Sequence, residues 1–225
     1  MQKFKIKSFC KINLFLKILN KDINNYHNIN SLITFCEPHD LISIQIINSS
    51  YDKVNFSGKF KQGINKKFNT ITKLLFILRK MGFLQSKNFK IDIKKNIPHG
   101  SGLGSGSSNA ASLLNFLNKK FKLKLSKGLK NKISREVGFD VPINLETKNS
   151  AVAGKNNKIL RFKNKFKLNI LIVFPNVVCS TKKIYKKNKI FNSLPVKYNS
   201  YLNNKKKLIE FLKNTGNDLE KAATK

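Results

Sequence analysis

The sequence predicts an α+β protein, with strands at its beginning and most of its helices after them. Residues 3–7 alternate polar and apolar side chains, and the apolar positions 12, 14, 16 and 18 continue that period of two. Such alternation is typical of strands with one buried face. Farther along, a glycine-rich segment joins another alternating run to an amphipathic helical pattern. Strands followed by helices favour the α+β class.

Further elements follow from the same periodicities. After a polar turn at residues 20–28, strands are expected at residues 41–47, 53–57 and 89–93. A helical stripe predicts a helix over residues 69–81, which Gly82 ends. Ser126 is placed to cap another helix that runs to Val137, with Gly138 just past its end.

The texture of the chain changes after Ser150. Strands are expected at residues 159–162 and 168–174, the second apolar enough to be central, and a lysine-rich amphipathic helix at residues 198–212. No internal repeat is visible. We therefore expect a domain boundary near residues 148–165, followed by a second domain that is too short to be complete.

The net charge of +34 does not by itself indicate a nucleic-acid-binding protein. Only three of the basic residues are Arg, the residue best suited to bidentate phosphate and base contacts. Abundant Lys, Asn, Ile and Phe all have A/T-rich codons, and the lysines are spread along the whole chain. Codon drift explains this composition better than nucleic-acid binding, although the charge still attracts anions.

Three cysteines, odd in number and far apart, suggest neither a disulfide framework nor a zinc site. No apolar run has the length of a membrane span, and residues 1–7 lack the apolar core of a signal peptide. A reducing cytoplasm is the expected location, without a membrane partner.

The most informative segment is a glycine-rich loop at residues 98–108. It places glycines at positions 100, 102, 104 and 106, so that several backbone N–H groups can converge on one anion. A strand pattern precedes it and a helix pattern follows, which favours a phosphate site over a flexible linker. The loop matches neither a Walker A motif nor a dinucleotide fingerprint.

Asp140 is one of only 11 acidic residues, and it lies between Gly138 and a Val-Pro pair. A carboxylate at such a turn either stabilises the turn or serves as a catalytic base, and position alone favours neither. Lys11 opens an alternating run, and in a chain this rich in lysine it reads first as a surface residue.

Together, several segments resemble the 4-diphosphocytidyl-2-C-methyl-D-erythritol kinases of the GHMP kinase superfamily. These segments, in the family's order between about residues 8 and 220, are residues 11–16, 26–27, 97–111 and 138–142. The resemblance implies a two-domain GHMP kinase fold. Residues 1–155 would form a ribosomal-protein-S5-like, ATP-binding N-terminal domain, and residues 156–225 a partial α/β sandwich domain.

The activity that the resemblance implies is ATP-dependent phosphorylation of the 2-hydroxyl of 4-diphosphocytidyl-2-C-methyl-D-erythritol, in the non-mevalonate route to isoprenoids. ATP and Mg²⁺ are expected, with Mg²⁺ ligands that the sequence does not identify. The expected partner is this small-molecule substrate; the sequence leaves the oligomeric state open.

The resemblance also implies roles for individual residues. Asp140 accepts the hydroxyl proton, and Lys11 is its partner. ATP is bound by the loop residues Pro98, His99, Gly100, Ser101, Gly102, Leu103, Gly104, Ser105, Gly106, Ser107 and Ser108. The cytidine substrate is bound by Asn13, Tyr26, His27, Thr181 and Tyr185. Two further residues, Asn69 and Lys95, match family positions near the nucleotide.

The sequence departs from the family in three places. Asn24-Asn25 replaces the usual Asp-Gly, the Gly-x-Gly-Glu pattern is reduced at residues 154–157, and the family continues beyond the last residue of this chain with a third glycine-rich motif. The sequence leaves open whether this is a fragment, a frameshift product or a functional shortened enzyme, and whether turnover survives without that motif. Two alternatives stay open, namely another GHMP small-molecule kinase and a catalytically dead basic module that binds nucleic acid.

Overall fold

The structure, a computed structural model, describes residues 2–21, 27–84, 87–153, 158–162, 166–175, 177, 181–192 and 194–224. Contacts divide the chain into two units that interleave along the sequence. The first unit comprises Met1–Lys11, Cys36–His99 and Leu103–Glu146, and the second comprises Ile12–Phe35, Gly100–Gly102 and Thr147–Lys225. The proposed domain boundary at residue 155 stays a prediction.

Four strands contribute to the first unit: β1 (Lys3–Lys21), β2 (His27–Ile47), β3 (Lys53–Ser57) and β4 (Asn88–Lys94). Of the two long strands β1 and β2, only residues 3–11 and 36–47 belong to it. β4 lies between β2, to which it is antiparallel, and β3, to which it is parallel. Alternate β4 residues Phe89, Ile91 and Ile93 are buried, as the alternation in sequence predicts.

The first unit also contains the helices α1 (Thr70–Lys80), α2 (Ser105–Lys120), α3 (Lys127–Val137) and α4 (Val141–Asn144). Their apolar faces join the buried strand residues in one core, which includes Ile42, Ile44, Leu74, Leu78, Leu113, Leu114, Leu117 and Ile133. The Asn69 side chain caps α1 by accepting from the N–H groups of Ile71 and Thr72, and Ser126 caps α3 by accepting from Leu129 N.

The second unit contains the remaining parts of β1 and β2 together with β5 (Ser150–Ala153) and β6 (Lys158–Arg161), both in antiparallel pairings. Its helices are α5 (Thr181–Lys187), α6 (Lys205–Thr215) and α7 (Glu220–Ala223), with a 3₁₀ turn at Asn199–Tyr201. A small core forms around Phe15, Leu32, Ala151, Tyr198 and Leu208. None of the helices in the described ranges is long and apolar enough to cross a membrane.

Most sequence predictions for the first unit are confirmed. The alternating start of the chain is β1, residues 53–57 are β3, and the segments predicted around residues 69–81, 89–93 and 126–137 are α1, β4 and α3. The mixed sheet and helices also confirm the α+β class.

Three predictions are wrong in part or in full. In the described part of the predicted turn, residues 20–21 and 27–28 are strand, while residues 22–26 lie outside the described ranges. Residues 168–174 form no strand among the described residues, and Leu171 and Val173 are 87% and 78% exposed. An apolar run becomes a strand only with a hydrogen-bonded neighbour, and β6 ends before this run.

The predicted helix at residues 198–212 begins later than expected. Tyr198 packs in the core of the second unit, and a 3₁₀ turn follows it. The Asn204 side chain then accepts from Lys207 N and starts α6, which ends before Gly216.

Candidate active site

A lysine from β1 and an aspartate that directly precedes α4 meet in the first unit. Lys11 Nζ lies 3.2 Å from Asp140 Oδ2 and donates a hydrogen bond to it. The Lys11 side chain is only 4% exposed, whereas that of Asp140 is 52% exposed. The ammonium group is therefore buried. The carboxylate that it binds remains exposed, so that an acceptor hydroxyl can reach it.

The Asp140 side chain does not stabilise the turn in which it lies. It occupies the position before α4, yet its side chain makes no capping hydrogen bond. Its backbone carbonyl instead accepts from Asn144 Nδ2 at 2.6 Å. The carboxylate is thus directed to Lys11 rather than used to stabilise the turn.

The glycine-rich loop supplies the backbone that the sequence predicts for an anion site. Gly100, Gly102 and Gly104 have φ values of +65°, +78° and +66°, in the left-handed region that favours glycine. α2 begins at Ser105, within the loop, so the positive end of a helix lies at its last residues.

Lys11 is attached to this loop through its backbone and packs against it. Its N–H donates to the Leu103 carbonyl at 3.0 Å. A Cβ atom placed on Gly104 would lie 3.2 Å from Lys11 Cε, so a larger residue here would require the lysine side chain to shift by a few tenths of an ångström. The catalytic candidate and the phosphate-binding candidate are therefore positioned together.

Two hydroxyl groups of the loop bind neighbouring strands and loops. Ser108 Oγ donates to the Phe9 carbonyl at 2.6 Å and accepts from Ser8 Oγ at 2.9 Å. Ser105 Oγ donates to Asp40 Oδ2 at 2.9 Å. These hydroxyls fix the start of α2 to the strands β1 and β2.

A pocket of about 220 Å³ opens beside the first turns of α1 and α2. It is lined by Phe56, Ile64, Asn69, Thr70, Ile71, Lys95, His99, Gly106 and Asn109. Apolar side chains and a few polar groups line it, the combination that suits a flat heteroaromatic ring with hydrogen-bonding edges.

One polar atom of this pocket is buried without a partner. Asn109 Oδ1 accepts no hydrogen bond, although it is buried at the pocket. Buried polar groups are nearly always satisfied, so this atom is a candidate to accept a hydrogen bond from a bound ligand. Asn69, in contrast, uses its oxygen to cap α1 and its Nδ2 to donate to the carbonyls of Asn65 and Lys66.

The two titratable residues of the pocket have perturbed pKa values. Burial lowers the pKa of Lys95, and the neighbouring Asp40 carboxylate partly opposes that effect. Burial and the positive charge of Lys95 lower the pKa of His99 below its usual value. This lowered pKa favours the neutral form of the His99 ring.

The second unit contains the residues expected to bind cytidine. The rings of His27 and Tyr185 lie 4.9 Å apart, and Phe191 stacks on His27 with centroids 6.4 Å apart and an interplanar angle of 8°. Asn13 Oδ1 accepts from Ser31 Oγ at 3.3 Å. Tyr26 and the side chain of Thr181 lie outside the described residues.

Three residues of these sites were missed from the sequence. Asn109 lies within the glycine-rich motif, and only its buried oxygen without a hydrogen-bond partner distinguishes it from the neighbouring helix residues. Phe191 is one of 18 phenylalanines, and Asp40 carries no motif of its own beyond its position before an apolar strand.

No group of three or more His, Cys, Asp or Glu that could hold a metal ion occurs in the described part of the chain.

The chain is similar to known kinases over nearly its whole length. Residues 69–146 match the family model described as "GHMP kinases N terminal domain". A protein from Pelagibacter ubique (strain HTCC1062), named 4-diphosphocytidyl-2-C-methyl-D-erythritol kinase, is 45% identical over 225 residues, which cover 99% of this chain and 77% of that protein. A protein of the same name from Wolbachia pipientis wMel is 32% identical, with the same two coverages.

A solved structure gives the same fold. The crystal structure of a 4-(cytidine 5'-diphospho)-2C-methyl-D-erythritol kinase matches 98% of this chain and 77% of its own with a TM-score of 0.69, at 22% identity. This chain is more than 30% identical to both relatives and covers more than two thirds of each. These similarities confirm the resemblance found in the sequence. The chain belongs to the 4-diphosphocytidyl-2-C-methyl-D-erythritol kinase family and has the GHMP kinase fold.

Proposed function

We propose that this protein is an ATP-dependent kinase that phosphorylates the 2-hydroxyl of 4-diphosphocytidyl-2-C-methyl-D-erythritol, a step in the non-mevalonate synthesis of isoprenoid precursors. The observation that carries the proposal is the Lys11–Asp140 pair, because it lies at a glycine-rich loop whose Leu103 carbonyl binds Lys11 N. Family membership supplies the substrate, since the relatives are named for it.

The pair has the chemistry that transfer to an alcohol requires. Asp140 accepts the proton of the acceptor hydroxyl as that oxygen forms a bond to the γ-phosphorus of ATP, and the bond from phosphorus to the β-bridging oxygen breaks to release ADP. Lys11 holds the carboxylate in place, because its ammonium group donates a hydrogen bond to Asp140 Oδ2 at 3.2 Å. Half of the Asp140 side chain remains open to the acceptor.

The glycine-rich loop and the adjoining pocket suit the two ends of ATP. Residues 98–108 offer backbone N–H groups and the positive end of α2 to the phosphates. The pocket at Asn109 suits the purine, with Asn109 Oδ1 placed to accept from an N–H group of the base. Lys95 and His99 line the same pocket.

Mg²⁺, when bound with the nucleotide, would supply positive charge that neutralises the negative charge developing during transfer. Because the described residues form no cluster of metal-ligating side chains, they identify no magnesium ligand.

The aromatic cluster of the second unit supports binding of a cytosine ring. His27 has Tyr185 on one side and the parallel ring of Phe191 nearby, so the cluster offers both π-faces and a polar edge. Asn13, Tyr26 and Thr181 complete the proposed cytidine-binding set on the basis of the family. A cytoplasmic location accords with a soluble, small-molecule substrate.

Replacing the proposed base tests this function. In Asp140→Asn the amide keeps the shape of the side chain but cannot take the proton, so kcat should fall by roughly 10²- to 10⁴-fold. Binding of ATP, measured by calorimetry, should change little, because the loop and the pocket are intact.

The matched control is Asp92→Asn. Asp92 is a carboxylate of β4 whose Oδ1 accepts from Asn55 Nδ2 at the protein surface. Its variant should keep wild-type kcat. An Asp140→Asn enzyme that turns over as fast as the Asp92→Asn enzyme would exclude Asp140 as the base.

A further inference from the structure

A buried aspartate outside the pocket connects both ends of the glycine-rich loop. Asp40 in β2 is fully buried, and each of its carboxylate oxygens accepts two hydrogen bonds. Oδ1 accepts from the backbone N–H groups of Asn96 and Ile97 at 2.8 and 2.9 Å. Oδ2 accepts from Ser105 Oγ at 2.9 Å and from Lys95 Nζ.

The donors to Asp40 come from two separate parts of the chain, one before the glycine-rich loop and one at the start of α2. Lys95, Asn96 and Ile97 directly precede the loop, and Ser105, in the last part of the loop, is the first residue of α2. Lys95 Nζ also donates to Ser105 Oγ, so the three side chains bind one another in a closed set. One carboxylate therefore holds the residue where the turn begins against the residue where the helix begins.

An ion pair is an expensive way to fill this space. A buried charge loses its hydration, and an apolar pair of similar volume is often at least as stabilising. What the carboxylate provides instead is a fixed geometry. Its hydrogen bonds to four donors are all satisfied in only one arrangement of the two chain segments. Such an arrangement is useful where backbone N–H groups must point at one anion.

Asp40 itself lies apart from the proposed ligands. It is absent from the residues that line the Asn109 pocket, whereas its partner Lys95 is among them. Its contacts reach the loop from the buried side. Any effect of Asp40 on nucleotide binding must therefore pass through the position of the loop and of Lys95.

We propose that Asp40 is the positioning residue of the ATP site: its buried carboxylate holds the two ends of the glycine-rich loop in the geometry that binds the triphosphate. The inference rests on the proposed function only in naming ATP as the anion. It assigns Asp40 to nucleotide affinity and not to the transfer of the proton.

Asp40→Asn is the direct test. The amide keeps the volume and can still accept from the two backbone N–H groups, but it lacks the charge and presents N–H groups to Lys95 and Ser105. The Kd for ATP, measured by calorimetry without the second substrate, should rise on the order of tenfold. The KM for the cytidine substrate should stay within about twofold of wild type.

Asp52→Asn is the matched control. Like Asp40, Asp52 is a carboxylate of the first unit, although it is only partly buried, and it binds a cation, Arg79, and a backbone N–H, that of Phe89. None of these partners belongs to the loop, so its loss should lower the melting temperature without changing the Kd for ATP. A merely structural Asp40 would give the same result as this control, and that result would overturn the proposal.

Ser105→Ala covers the case in which Asp40→Asn does not fold. It removes only the hydroxyl that links α2 to the carboxylate, and it should raise the Kd for ATP by about threefold. An unchanged Kd in Ser105→Ala would also overturn the proposal. If wild-type protein binds no ATP at all, the proposed function fails instead, so the two failures are distinguishable.

Discussion

Gly104 sets the position of the lysine on which the proposed chemistry depends. Its φ of +66° places it in the left-handed region, and its missing side chain leaves the space that Lys11 Cε occupies. Conformation and space thus favour glycine independently at this position. The two requirements can be tested separately. Gly102, another glycine of the loop, has a positive φ but no close neighbour among the described residues.

Gly104→Ala should reduce turnover far more than Gly102→Ala. Both substitutions put alanine at a positive φ and should cost roughly 1–2 kcal/mol of stability. At Gly102 no atom of the described residues lies within 4 Å of the added Cβ, whereas at Gly104 that atom meets Lys11 at 3.2 Å. A displaced lysine should lower kcat by about ten- to a hundredfold.

Steady-state kinetics of the two variants check this expectation, with urea unfolding as the measure of stability. Equal losses of kcat at equal losses of stability would contradict the role of Gly104 in placing Lys11.

His99 should make the stability of the protein depend on pH. Burial and the charge of Lys95 lower the pKa of His99 in the folded protein below 6.5. As the pH falls through 6.5, the unfolded chain takes up the proton before the folded protein does. The free energy of unfolding therefore decreases toward acid pH, and this contribution is fully retained only above pH 6.5.

His99→Gln removes this component. Between pH 8 and pH 5.5, in the absence of nucleotide, the melting temperature of the variant should fall less than that of wild type. The difference between the two proteins at pH 8, where the ring is neutral in both states, reports only the lost contacts and serves as the internal control. Parallel melting temperatures across this range would contradict the lowered pKa.

Residue types alone left the role of Asp140 undecided, and the structure explains why. The contact on which its proposed chemical role rests joins residues 129 positions apart. No local pattern carries such information, so only the family resemblance indicates the pair from the sequence. Asp40 was missed for the same reason, since its four donors come from positions at least 55 residues away.

At the scale of elements, the sequence predicted best where one face of an element is buried. β4 and α1 each pack an apolar face into the core of the first unit, so their periods of two and 3.6 are visible in the sequence. The caps at Asn69 and Ser126 sharpen the helix boundaries, because the side chain that starts each helix is itself a local signal.

Prediction failed where an element depends on its neighbours. Residues 168–174 are apolar enough for a central strand, yet the described residues give them no ladder and leave Leu171 exposed. β5 is only four residues long, Ser150–Ala153, and owes its existence to pairing with β2 and β6. The whole fold decides which strands pair. The local sequence therefore predicts neither the lack of a strand in the described residues 168–174 nor the presence of β5.

At the scale of the whole molecule, the charge of +34 fits a protein that acts on anions without requiring nucleic acid. Eleven acidic residues cannot pair one to one with 45 basic ones, so the surface potential is strongly positive. ATP and a cytidine diphosphate substrate are both polyanions. Their encounter with the protein is favoured by the same charge that in other proteins serves nucleic acid.

The most direct test of the central proposal uses the intact protein with ATP, Mg²⁺ and 4-diphosphocytidyl-2-C-methyl-D-erythritol. Mevalonate and homoserine in parallel reactions represent the alternative kinase substrates, and phosphorus NMR identifies the product. We predict a new phosphomonoester at the 2-position of the cytidine substrate, equimolar with ADP, and no phosphorylation of mevalonate or homoserine. ADP release no greater than that of Asp140→Ala, or phosphorylation of one of the other alcohols instead, would contradict the proposal.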